Sequence, residues 1–189
     1  MKLTAAFAIS VVLCVFTAPA FAESPAQKRA EIRKMRADTL TMLYKRQPKS
    51  KARIAKAYGY AVFSNVGVNI ILLSVAGGRG VAHDNKSGKD VYMKMLSGGV
   101  GPGLGVKDFR GVFVFENPRV FRKFVDMGWE GGAQANAVAK VAGKGGDAEA
   151  VITVAPGVKF YQITDTGLAL EATLQGTKYL KDDDLNKGK

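Results

Sequence analysis

The alternation of hydrophobic and polar positions divides the chain into three stretches of different period. Residues 1–22, MKLTAAFAISVVLCVFTAPAFA, hold a lysine at position 2, an apolar core from Ala5 to Phe16 and the small-residue ending Ala20-Phe21-Ala22. That order predicts a secretory signal peptide cleaved before Glu23, because the apolar run is too short for a good membrane span. An uncleaved anchor fits the pattern less well. So does lipidation at Cys14, which has no small residue just before it and apolar residues after it.

Residues 23–58 follow the helical period. Ser24 can cap, Pro25 suits the first helical position, and Gln27 stands where a capping box places its return bond. The run continues without a breaker to Pro48, with Ile32, Met35, Thr39, Met42 and Leu43 on one narrow face and Arg29, Arg33, Lys34 and Arg36 off it. Ser50 is expected to cap a second helix, KARIAKAY at 51–58, which Gly59 would stop.

Beyond Gly59 the period drops to two. YAVFSN, NIILLSVA, GVAHD, VYMKMLS, RGVFVFE, EAVITVA, VKFYQIT and GLALEATLQ read as strands, with Asn85-Lys86-Ser87-Gly88 and Asp165-Thr166-Gly167 as turns. One helix interrupts them over 117–128, opened by Asn117-Pro118 and closed by Gly128. AQANAVAKVA at 133–142 suits a helix by its alanines and a strand by its alternation; the period decides for a strand. The expected architecture is α+β: a helical arm at 23–58, then a Gly-rich, mostly antiparallel, curved or barrel-like sheet over 59–181 with one inserted helix, and a short tail at 182–189.

Composition sharpens this division. All 22 glycines fall at or after position 59. Of the 28 Lys and Arg, against 16 Asp and Glu, the arm holds eleven against three. A basic patch ordinarily suggests nucleic acid, but an exported protein rarely meets it, so anionic lipid headgroups or acidic envelope polymers become the expected partners. Cys14 is the only cysteine, which removes disulfides, thiol catalysis and thiolate metal sites from residues 23–189.

Residues 97–109, SGGVGPGLGVKDF, carry five glycines in their first nine positions, as a phosphate-cradling loop does. A Walker loop, however, needs Gly-Lys-Ser/Thr before a helix; here Gly88-Lys89 leads to Asp90 and Gly143-Lys144 to Gly145. Gly99, Gly101, Gly103 and Gly105 recur at the strand period, so they belong on one face of one strand in a tightly bent sheet. His83 is the only histidine and makes no zinc set; no G-x-S-x-G elbow places a nucleophile. Asp182-Asp183-Asp184 reads as a solvated tail or a helix cap rather than a calcium loop. No cofactor, metal or catalytic residue is expected.

GLALEATLQGTKYL at 167–180 resembles the closing motif of the SYLF-domain family. AKAYGYAVFSNV at 55–66, AGGRGVA at 76–82, SGGVGPGLGVKDFRGVFVFENPRVFRKFV at 97–125 and DAEAVITVAPGVKFYQITDTGLALE at 147–171 resemble successive parts of it in order, together covering about 25–182. The resemblance implies a non-enzymatic domain. Eukaryotic family members bind phosphoinositides or phosphatidic acid through a basic amphipathic N-terminal helix, and some bind or bundle actin. SNVGVNIILL stands where relatives carry a lysine-alanine-glycine-phenylalanine stretch, which weakens the actin inference. By position, Lys28, Arg29, Arg33, Lys34 and Arg36 are the expected lipid-binding residues, and the rest of the basic arm extends them with Lys45, Arg46, Lys49, Lys51 and Arg53. The expectation is a periplasmic or secreted, peripherally membrane-associated protein with an anionic-lipid partner. The alternative is a protein-interaction module that uses the same arm.

Overall fold

The computed structural model describes residues 23–65, 75–98, 109–131, 151–164, 167–169 and 177–187. Residues 1–22, the alternating glycines at 99–105, the segment 133–142 and most of NIILLSVA and GLALEATLQ lie outside the described residues. The chain begins with α1 (Pro25–Arg46) and α2 (Lys49–Lys56), then β1 (Gly59–Ser64), β2 (Val75–Asp84), β3 (Asp90–Gly98) and β4 (Arg110–Phe115). After α3 (Pro118–Met127) come β5 (Trp129–Glu130), β6 (Ile152–Ala155), β7 (Val158–Thr164), β8 (Gly167–Ala169), β9 (Thr177–Lys181) and a last short helix, α4 (Asp183–Asn186). The strands form one antiparallel sheet in the order β5-β9-β3-β2-β1-β4-β7-β6, with β8 on β7. The sheet curls into a half-barrel, and the fold is α+β.

Two of the three expected N-caps, Ser24 and Asn117, form as expected. Ser24 accepts from the Gln27 amide while the Gln27 side chain takes the Ser24 amide, satisfying two donors that the first turn leaves open. Asn117 accepts from the Val120 amide at 3.1 Å, and Gly128 ends α3 at φ 74, where a side chain would strain the backbone.

Other expectations are corrected. Ser50 does not cap α2: Pro48 occupies that place, and the Ser50 hydroxyl donates to the Gln47 carbonyl instead. Gly59 does not stop α2, which ends at Lys56; it opens β1. GVAHD is not a separate strand, because β2 runs through AGGRG without interruption. The TKYLK run, unassigned from its pattern, is β9 and pairs with β3 and β5. Of the two readings of the acidic run at 182–184, the structure takes the helix cap rather than the solvated tail. Asp182 caps α4, Leu185 is buried against Ile32, Val81 and Tyr92, and the Asn186 side chain bonds both ways with the Tyr92 backbone.

Both faces of the sheet are covered, which is why β1 is buried at every position. On one face Phe63, Phe113, Phe115 and Phe160 meet Phe121 and Phe124 of α3 and Tyr179 of β9. These rings pack at 4.6–6.1 Å, in the range of favourable tilted and edge-to-face contacts. On the other face Leu43 and Ile54, from α1 and α2, cover Tyr60, Val62, Val112, Val114, Tyr161 and Ile163. The β2 glycines make the first arrangement possible. A Cβ at Gly80 would lie 2.2 Å from the Phe63 ring and 2.6 Å from the Val62 carbonyl oxygen, so that ring fits only over a residue without a side chain.

Candidate functional site

The arm lies flat on the sheet. Ile32, Thr39 and Leu43 are buried, and Met35 and Met42 pack partly beneath them, so the apolar stripe read from the sequence faces the body. The outward surface of α1 holds Ala30, Arg33, Lys34, Ala37, Asp38, Thr41 and Lys45, with no large apolar residue. Whatever this helix does in place, it does through charge.

The ten expected contact residues separate into pinned and outward groups. The Arg29 guanidinium donates to the Leu185 and Lys187 carbonyls at 2.8 Å each, clamping α4 to α1. Arg33 donates to the Tyr92 hydroxyl at 2.8 Å. Arg36 meets the Asp90 carboxylate at 2.6 Å with both side chains mostly covered, and His83 Nδ1 joins the same carboxylate oxygen at 2.6 Å. Arg46 donates to the Thr164 carbonyl and Arg53 to the Tyr161 hydroxyl. Lys34 pairs with Asp38 at 2.6 Å, an exposed i,i+4 pair of small energetic value. Lys28 is half-buried, near enough to Asp184 to help hold that carboxyl below its usual range behind the larger effect of Lys187. Lys45, Lys49 and Lys51 are exposed.

This arrangement keeps the arm cationic. Arg36 is neutralised by a carboxylate of the body, whereas the partners of Arg29 and Arg33 are neutral oxygens that orient the guanidinium without cancelling its charge. The arm's own acids are matched: Glu23 and Glu31 pair with Arg79 of β2 at 3.6 and 3.3 Å, and Asp38 with Lys34.

Where α2 crosses β4 and β7, a cleft of about 390 Å³ opens, lined by Lys49, Ala52, Arg53, Lys56, Ala57, Val114, Glu116 and Lys159. Its position follows from packing. Ile54 is buried under α2, and Asn85 in the β2–β3 turn donates its side-chain amide to the Ile54 and Ala57 carbonyls at 2.8 and 3.0 Å, closing the helix's C-terminal end. That turn is itself held by Asp84. Burial acts against its charge, but the amides of Ser87 and Lys86 and the Tyr58 hydroxyl hold its carboxyl below the usual range.

Lys56 and Lys159 were missed as candidates. Lys56 follows Lys49 and Arg53 at i+7 and i+3, a stripe legible in the sequence. Lys159 carries no such signal; only its pairing opposite Val114 brings it to α2. Among the described residues no group of three or more His, Cys, Asp or Glu is placed to hold a metal, and no helix is long and apolar enough to cross a membrane.

No protein-family model matches the chain. It is similar to beta cell expansion factor A of Aeromonas veronii, with 38% identity over 161 residues. That match covers 85% of this chain and 60% of the relative, so the chain spans less than two thirds of that protein's length.

Proposed function

We propose that this protein is a non-enzymatic binding domain that docks on anionic phospholipid at the cell envelope through the cationic outer surface of α1 and α2. One observation carries the reading: the arm's carboxylates are matched while Lys45, Lys51 and Lys56 stay exposed, so surplus positive charge stays at the surface. Each Lys or Arg near an anionic leaflet contributes about 1 kcal/mol, and the attraction fades within a Debye length. Because Ile32 and Leu43 face the sheet, docking proceeds by surface charge without insertion of the helix. The leader-like segment 1–22 and the SYLF resemblance supply the envelope setting.

Vesicle sedimentation tests the proposal. The protein should pellet with vesicles containing phosphatidylglycerol or phosphatidate at low salt and stay in solution with phosphatidylcholine alone. Equal pelleting with neutral and anionic vesicles would overturn it. Reversing Lys34, Lys45 and Lys51 to glutamate should abolish binding while leaving the circular dichroism spectrum unchanged.

A further inference from the structure

α3 carries charge that its own helix does not call for. Arg119 lies in the first turn, where the helix dipole favours anions, and Asp126, the one carboxylate of the helix, lies in the last turn, where it favours cations. Arg122 and Lys123 follow Arg119 at i+3 and i+4, so three like charges stand side by side on the helix surface. All three are exposed, and among the described residues none of them takes part in a hydrogen bond or an ion pair. The carboxylates that flank the helix are engaged elsewhere, Glu116 with Lys159 at 3.6 Å and Glu130 with Lys178 at 3.4 Å. The repulsion within this stripe is a cost that an external anionic partner removes.

Packing fixes where the stripe points. Phe121, Phe124 and Val125 are buried against the aromatic face of the sheet, so Arg119, Arg122, Lys123 and Met127 occupy the opposite side of the helix. α1 and α2 cover the other face of the sheet, so the two cationic surfaces look outward from opposite sides of the body. Met127 stands at i+4 from Lys123 and is 74% exposed, the most exposed large apolar side chain among the described residues. A flexible thioether chain beside cations suits the boundary between lipid headgroups and acyl chains better than it suits water. The outer surface of α1 offers no such group.

We propose that the outer face of α3 is a second membrane contact, which meets an anionic bilayer other than the one held by the arm, so that one molecule joins two bilayers. The cations stand on a convex helix surface, which meets a broad, yielding partner rather than enclosing a small one. At about fivefold per cation near an anionic leaflet, three cations strengthen the contact on the order of a hundredfold. One molecule cannot hold a vesicle so weakly, but many molecules arrayed on one bilayer by their arms can hold another. The second contact rests on the arm's docking for its first bilayer, and the experiment tells the two apart.

Phosphatidylglycerol vesicles are preloaded with protein at low salt and a second vesicle population is added. Joining is read as energy transfer between lipid dyes carried by the two populations, and pelleting of the preloaded vesicles is read in parallel. The unaltered protein is expected to join them to phosphatidylglycerol vesicles and not to phosphatidylcholine vesicles. R119Q/R122Q/K123Q alters exposed side chains only, so the circular dichroism spectrum should be unchanged and pelleting kept within about twofold, while joining falls at least about tenfold. K86Q/K89Q/K181Q removes equal charge from other exposed positions and should keep joining within about twofold. Pelleting without joining, joining that survives R119Q/R122Q/K123Q, joining lost equally in both triple variants, or equal joining to phosphatidylcholine overturns the second contact and leaves the arm's docking standing. An α3 face that captures soluble polyglutamate yet joins no vesicles belongs to an acidic protein, which overturns the bilayer as its partner. Absence of pelleting by the unaltered protein overturns both readings.

Discussion

Leu43→Ala tests whether the arm belongs to the folded body or to the membrane. Leu43 is fully buried on α1 and packs with Ile54, Tyr60, Val62, Val112 and Val114. Truncation removes three carbons from a site walled by two β-strands and a second helix, which leaves little freedom to collapse. The transfer and cavity terms together then cost about 3–5 kcal/mol. For a chain of this size, each kcal/mol lowers Tm by roughly 2–4 °C, so the loss should be about 6–20 °C by differential scanning calorimetry. Met42→Ala, at a half-buried position on the same helix, should cost less than about half as much. The decisive measurement is vesicle binding at a temperature where Leu43→Ala remains folded. If charge alone docks the arm, its affinity for anionic vesicles equals that of the unaltered protein. A Tm change under about 2 °C, or a loss of vesicle affinity in the folded variant, would refute the packing argument and mean that the apolar stripe meets lipid.

Gly80→Ala should destabilise by at least about 1–3 kcal/mol in urea unfolding, because the added carbon meets both the Phe63 ring and the Val62 backbone; an unchanged midpoint would mean that β2 and Phe63 are not so closely packed. Asp84 gives a pH dependence of defined sign. Its folded carboxyl titrates below the ordinary value, so its contribution is present above the unfolded pKa and is lost as pH falls through the folded one. The unaltered protein should therefore lose urea stability below about pH 4 more steeply than Asp84→Asn, and parallel curves would contradict this. Arg29→Ala removes both bonds to the carbonyls of Leu185 and Lys187 and should raise hydrogen exchange across 182–187 without altering β1 or β4; unchanged exchange there would show that Leu185 alone holds α4. Docking by charge requires that vesicle binding fall steeply as NaCl rises from about 0.05 to 0.5 M, and salt-independent pelleting would point to an apolar contact.

Local pattern was enough for what depends on near neighbours. The capping box at Ser24 and Gln27, the Asn117-Pro118 start and Gly128 stop of α3, and the period-two runs of β1, β4 and β7 follow from spacing and backbone preference, and so does the α+β class. The concentration of Lys and Arg in the arm is likewise a property of the chain itself. Tertiary structure decided the direction and company of those charges. Nothing near Arg36 in sequence indicates Asp90 and His83, nor does anything near Arg29 indicate the carbonyls of α4, because sheet pairing and the return of the C-terminus supply these partners from far along the chain. The same holds for the cleft. Lys49, Arg53 and Lys56 are one stripe on a helix, but Lys159 faces them because β7 pairs with β4 under α2, a register fixed by burial of the alternate residues Tyr161 and Ile163. Periodicity says which face of an element is apolar; only packing says what that face covers, and which cations it leaves at the surface.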